Sequence, residues 1–268
     1  MSRGLARGGV LCMAGALCCT AGQMIAARLA AVPAGLFSAL QPLFTVLAAL
    51  LGYLPAIWLL DRAAPAKGWG RVPVRRLPVL LAALLGAAAL GSLLSLLLPG
   101  EQTASLPPEG AMIPAVLLAK CLLPAVCEEW IFRRRMLPLL ADTGPTGAVV
   151  GTAVLFALAH PDPRQAVTAL FAGLVLGAVA WKYGPGCSAA LHLCNNLLAF
   201  WQLWNPDLGK AALAVGMLAG WPVLVVWLVK HRPRVPSRLT GALCHPLAAG
   251  GFVLYLARFI WNITGGNA

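Results

Sequence analysis

The stretch AMIPAVLLAKCLLPAVCEEWIFRRR, residues 111–135, is apolar over most of its length and then sets two adjacent glutamates and three arginines side by side. Its apolar part is long enough to approach the ~20 residues that cross a bilayer as a helix. The same kind of run recurs along the chain, which is 60% hydrophobic and only 10% charged, with a mean hydropathy of +0.83. A soluble domain of this length would interleave its apolar runs with charged surface. The composition therefore predicts an all-α, polytopic integral membrane protein, folded as a single domain over residues 1–268.

Apolar runs between breakers fall at about 9–27, 36–60, 77–98, 111–132, 146–160, 164–182, 186–204, 211–229 and 240–260, which predicts eight or nine helices. The breakers are rich in helix-ending residues: PGEQTASLPPEG at 99–110, GPTG at 144–147, PDPR at 161–164 and GPG at 184–186. The first span follows Arg3 and Arg7 and resembles a secretory signal, but it is long and carries no small-x-small cleavage pattern, so a retained anchor is expected. Basic residues cluster at the N-terminus and at 62–76, 133–135 and 230–238. Threaded from an inside N-terminus, all four clusters fall on the cytoplasmic face. Topology and contact with anionic lipid then account for most of the net charge of +12, and nucleic acid is not needed as a partner. The eight cysteines lie in or beside spans with no C-x-x-C pair, and are read as small apolar residues.

Of the eight acidic residues, Asp61, Glu101, Glu109, Asp142, Asp162 and Asp207 read as loop residues. Only Glu128 and Glu129 border an apolar run without a turn signal. A carboxylate at the bilayer centre costs about 3 kcal/mol even on the lenient insertion scale, so the pair needs a reason. Glu129 and Arg133 are four apart and share a helix face, whereas Glu128 points about 100° away. One reading is a solvated helix end that marks where the membrane stops. The other is a buried site in which Glu129 is paired and Glu128 is free.

The histidines favour a site. FALAHP spaces Phe156 and His160 four apart, HLCNN spaces His192 and Asn196 four apart, and these two histidines are the ones within spans four to seven. A single membrane histidine commonly serves helix packing by hydrogen bonding; two beside a glutamate pair are harder to assign to packing. If the helix continues to 140 and DTGP is the turn, Glu128 and His160 are equidistant from Gly144 and sit level. Two G-x-x-x-G patterns, Gly147/Gly151 and Gly173/Gly177, predict close helix approach.

EEWIFR, FALAH and HLCNN, in this order, resemble the motifs E-E-x-x-x-R, F-x-x-x-H and H-x-x-x-N of the CAAX prenyl protease and bacteriocin-processing family of intramembrane proteases. The resemblance covers about 128–200, within core helices at 111–204. It implies an intramembrane endopeptidase in which Glu128 and His160 activate the attacking water. His192 and Asn196 would stabilise the tetrahedral oxyanion, with Glu129 and Arg133 in support. Such chemistry suits amide hydrolysis, which needs a general base and donors aimed at developing negative charge. FRRR replaces the family's more usual Phe-Arg-Gly after the glutamates. The family is often labelled metalloprotease, and two carboxylates with two histidines could hold zinc, but H-E-x-x-H is absent and a metal-free water is preferred.

The bias toward Ala, Leu, Gly, Pro and Arg suggests GC-rich codons and a bacterial cytoplasmic membrane. A peptide or the tail of a membrane-associated protein is then the expected substrate. The arginines at 133–135 suggest a site facing the cytoplasm. Two further readings stay open: a transporter or immunity-type protein binding protons or cations through buried Glu and His, and an inactive scaffold. Transport would favour an inverted repeat between halves, and none stands out.

Overall fold

The computed structural model describes residues 3–31, 38–98, 107–160, 162–231 and 253. Among them are eight helices and no strand. These are α1 (Arg3–Ala31), α2 (Gln41–Ala63), α3 (Leu77–Ser95), α4 (112–139), α5 (Gly144–Leu158), α6 (Pro163–Tyr183), α7 (Pro185–Trp201) and α8 (206–231). The ninth expected span, 240–260, lies outside the described residues apart from Val253, as do most of the loop 99–110 and Cys244. The seven described cysteines are free thiols.

Six of the eight helices are long and apolar enough to cross a membrane: α1, α2, α3, α5, α6 and α8. The other two, α4 and α7, carry the E-E-x-x-x-R and H-x-x-x-N residues, whereas Phe156 lies on α5 and His160 two residues past its end. α4 holds Lys120, Glu128, Glu129 and the three arginines, and α7 is only 17 residues long. The chain is a multi-pass membrane protein, and burial shows why lipid is required. The α2 span has a mean hydropathy of 2.1 with only 28% of it buried, and the α8 span 1.6 with 11% buried. Leu43, Leu47, Leu51, Leu54 and Trp58 of α2 point outward, a surface that water would penalise and acyl chains do not.

Proline punctuates the helices from both sides. It occupies the first turns of α2, α3, α5, α6, α7 and α8, where its missing N–H costs nothing. Asp162 caps α6 by accepting from the Arg164 and Gln165 amides. Three wide π turns, Leu117–Leu122, Glu129–Met136 and Gly216–Gly220, each end two residues before a proline inside a continuing helix: Pro124, Pro138 and Pro222. Proline cannot donate to the preceding turn and its ring crowds the carbonyl four residues back, so the backbone widens there instead of breaking.

One buried cluster joins α1, α2, α4, α5 and α6 through residues such as Met13, Tyr53, Leu60, Phe132, Met136 and Phe156. A second joins α3, α6 and α7 through Leu84, Leu176 and Leu191. Gly173 and Gly177 meet Ala153, Phe156 and Val149 at 3.1–3.3 Å from a hypothetical Cβ, so α5 and α6 touch almost backbone to backbone. The α4–α5 hairpin turns through Ala141–Thr143, with Gly144 at φ +83°. Its register matches the sequence expectation. Phe132 and Phe156, also equidistant from Gly144, stack edge to face with centroids 5.3 Å apart, one turn from Glu128 and His160.

The arginines have a structural task. Arg134 and Lys67 exchange backbone and side-chain hydrogen bonds (2.8 and 3.0 Å), and Arg135 donates to the Ala64 carbonyl at 2.9 Å. They fasten the extended segment 64–73 across one end of the bundle, where the Gly186 amide donates to the Trp69 carbonyl at 2.8 Å. Asp61, expected in a loop, instead sits in the last turn of α2, paired with Arg135 at 2.7 Å and accepting from Trp130 Nε1. Asp207 likewise lies in the first turn of α8.

Candidate active site

Glu129 and Arg133, both 0% exposed, pair at 3.1 Å across one turn of α4. In a low-dielectric interior neither charge survives without the other, and each has further partners. Ser188 Oγ donates to Glu129 Oε2 at 2.5 Å, and His192 Nδ1 lies 3.1 Å from Glu129 Oε1. Arg133 donates to the Gly173 carbonyl at 3.3 Å and lies 4.3 Å over the Phe156 ring. The buried reading of this pair therefore replaces the solvated helix end.

Glu128 is the less committed carboxylate. Its side chain is 14% exposed; Oε1 accepts from the Tyr53 hydroxyl at 2.8 Å, and Oε2 stands 3.8 Å from His192 Nε2, too far for a hydrogen bond. His192 thus sits between the two glutamates. Because its Nδ1 is taken up by Glu129, Nε2 is the nitrogen left to face Glu128. His160 makes the same choice: Nδ1 is 2.8 Å from the Phe156 carbonyl, so Nδ1 carries the proton and Nε2 is free. Phe156 presents its ring to both imidazoles, with centroids 4.9 Å from His160 and 5.8 Å from His192.

His160, His192, Asn195 and Asn196 line a cavity of about 350 Å³, walled by Leu84, Leu85 and Ser92 of α3, Gln165 and Leu176 of α6, Gln202 at the end of α7 and Leu213 of α8. Asn196 Nδ2 makes one long hydrogen bond of 3.4 Å, to the Cys121 carbonyl, and has a second N–H to offer. The six residues singled out from the sequence divide at this cavity, to which α4, with Glu128, contributes no lining residue. The histidines and Asn196 line it, while Glu129 and Arg133 are sealed behind it.

The cavity does not lie at the end of the bundle that carries Arg134 and Arg135. The cavity gathers Ser92, His160, Gln165 and Gln202, which lie toward the ends of their helices opposite segment 64–73 and the arginines. The chain runs past Arg135, turns at Gly144 and returns along the whole of α5 before reaching His160, which carries the site away from the basic end.

Three site residues were not found from the sequence. Ser188 had a local signal, since Ser188, His192 and Asn196 follow one another at four-residue steps on one face of α7. Asn195 adjoins Asn196 and lines the cavity. Tyr53 had none, because it reaches Glu128 from a helix 75 residues away in sequence.

A zinc ion does not fit these residues. Among the described residues no group of three or more His, Cys, Asp or Glu side chains is placed to hold a metal. Both Glu129 oxygens are already occupied by Arg133, His192 and Ser188.

Residues 110–198 match the family model of type II CAAX prenyl endopeptidase Rce1-like proteins. No curated protein and no solved structure compared with the chain gives a match. The matched segment spans α4 to most of α7, and so contains every motif residue above. The chain carries an Rce1-like domain.

Proposed function

We propose that this Rce1-like domain is an active intramembrane endopeptidase that hydrolyses a peptide bond with a water activated by Glu128 and His160. Glu128 Oε2 takes the proton of the water, and His160 Nε2 orients it. The hydroxide oxygen bonds to the scissile carbonyl carbon, and the C=O π pair moves onto the carbonyl oxygen. Asn196 Nδ2–H donates to that oxyanion, and His192 joins it only with both ring nitrogens protonated, Nδ1–H held by Glu129 and Nε2–H turned to the oxyanion. The intermediate collapses by breaking the C–N bond, and the proton held by Glu128 passes to the leaving amine. Glu129, anchored by Arg133 and Ser188, holds His192 through Nδ1. The arrangement that carries this reading is the convergence of the two histidines on one cavity, with His192 between the two carboxylates.

The substrate is a membrane-associated protein or peptide. The cavity inside the bundle, with mainly apolar walls, supports that class, and the basic clusters suit anionic lipid at the opposite face. The multi-pass chain fits a bacterial cytoplasmic membrane, as its composition suggests.

The test incubates the purified protein in detergent with a pool of membrane-protein C-terminal peptides, farnesylated and unmodified, and identifies products by mass spectrometry. Glu128→Gln keeps the size and hydrogen bonding of the side chain but removes the base, and kcat should fall about 10²- to 10⁴-fold. Cleavage at the wild-type rate by Glu128→Gln would refute the mechanism. A proton- or cation-binding membrane protein would yield no product from any peptide.

A further inference from the structure

Glu129 is held by three side chains, whereas among the described residues Glu128 accepts one side-chain hydrogen bond, and it comes from outside the Rce1-like segment. Tyr53 of α2 is 3% exposed and donates its hydroxyl to Glu128 Oε1 at 2.8 Å. A carboxylate only accepts, so the proton in this bond is the tyrosine's. With Oε1 engaged, Oε2 is the oxygen turned toward His192 Nε2, 3.8 Å away.

The mount of Tyr53 is rigid. Its ring packs in the cluster that contains Cys19, Ala56, Cys127 and Ile131. At the neighbouring Gly52, α1 and α2 cross with backbones in contact: a Cβ on Gly22 would fall 2.0 Å from the Gly52 carbonyl oxygen. The height and direction of the hydroxyl are thus fixed by two helices that contribute no motif residue.

We infer that Tyr53 is a positioning residue for the reaction: by holding Glu128 Oε1 it fixes the carboxylate in the rotamer that presents Oε2 to the attacking water. The inference rests on the proposed role of Glu128 as base. It gives α1 and α2 a part in catalysis, because without the phenol the partly exposed Glu128 side chain can rotate and take water as its partner.

Tyr53→Phe keeps the ring and its packing and deletes only the donor. Misplacing a reacting group by a fraction of an ångström to 1 Å costs up to about 10²-fold, so kcat on the farnesylated peptide pool should fall roughly 10- to 100-fold. KM and the melting temperature should stay at wild-type values. A spectroscopic arm does not depend on turnover: the chain has four glutamates, Glu101, Glu109, Glu128 and Glu129, so ¹³C-glutamate labelling with Glu128→Gln as the blank isolates the Glu128 carboxyl band in the infrared. That band should move in Tyr53→Phe. A wild-type kcat, an unmoved band, or a lowered melting temperature with an unchanged kcat overturns the inference. Inactive Glu128→Gln beside fully active Tyr53→Phe would remove the inference and leave the proposed base standing. A fully active Glu128→Gln would remove both.

Discussion

Removing either member of the Glu129–Arg133 pair tests whether the site is a dry, charge-balanced unit. Both side chains are 0% exposed and 3.1 Å apart, so neither can turn to water when its partner is lost. Breaking such a pair costs about 3–5 kcal/mol. For a chain of this size 1 kcal/mol corresponds to about 2–4 °C, so each variant should melt roughly 6–20 °C below wild type. The partners decide the order within that range. Arg133→Ala leaves Glu129 with Ser188 at 2.5 Å and His192 at 3.1 Å. Glu129→Ala leaves a guanidinium that cannot shed its charge with only the Gly173 carbonyl at 3.3 Å and the Phe156 face at 4.3 Å, so it should be the less stable variant. Replacing both, Glu129→Gln with Arg133→Met, removes the stranded charge and should recover much of the loss. The melts are followed by tryptophan fluorescence in one detergent at one scan rate, since unfolding of such a protein is governed by rate. Arg133→Ala melting within about 2 °C of wild type would show the pair to be solvated and refute the reasoning.

Asn196→Ala removes a donor with one uncommitted N–H at the cavity and should lower kcat by about 10²- to 10³-fold with little change in KM; full activity would end the oxyanion role. Because both Glu129 oxygens are already held by protein groups, a strong chelator should leave wild-type cleavage intact. Complete loss that zinc reverses would overturn the metal-free mechanism. Glu128→Gln, unlike the Glu129 and Arg133 variants, should melt with wild type, because Glu128 is partly exposed and Gln still accepts from Tyr53.

Local spacing made much of the site readable. Four-residue steps on a helix fixed Glu129 with Arg133, Phe156 with His160 and His192 with Asn196, and symmetry about the Gly144 turn put α4 and α5 in register. The same periodicity held Ser188, although a serine in an apolar helix draws no attention until a carboxylate is found 2.5 Å away. The arginines do more than mark a solvated helix end. Arg133 is buried in the site, and Arg134 and Arg135 satisfy backbone carbonyls of segment 64–73.

By itself the sequence determined the solvent and the local geometry: hydropathy settles that lipid surrounds the helices, and helical periodicity settles which side chains share a face. Both depend only on residues near one another in the chain. Only the tertiary structure decided that His192 lies between the two glutamates, that Tyr53 holds Glu128, and that the cavity sits at the end of the bundle away from Arg134 and Arg135. The side-chain contacts among these join residues 63–75 positions apart, and no local rule sets the depth and rotation at which such helices meet. That is set by the packing of α1 on α2 and α5 on α6, and by the π turn ahead of Pro138 that carries Glu129.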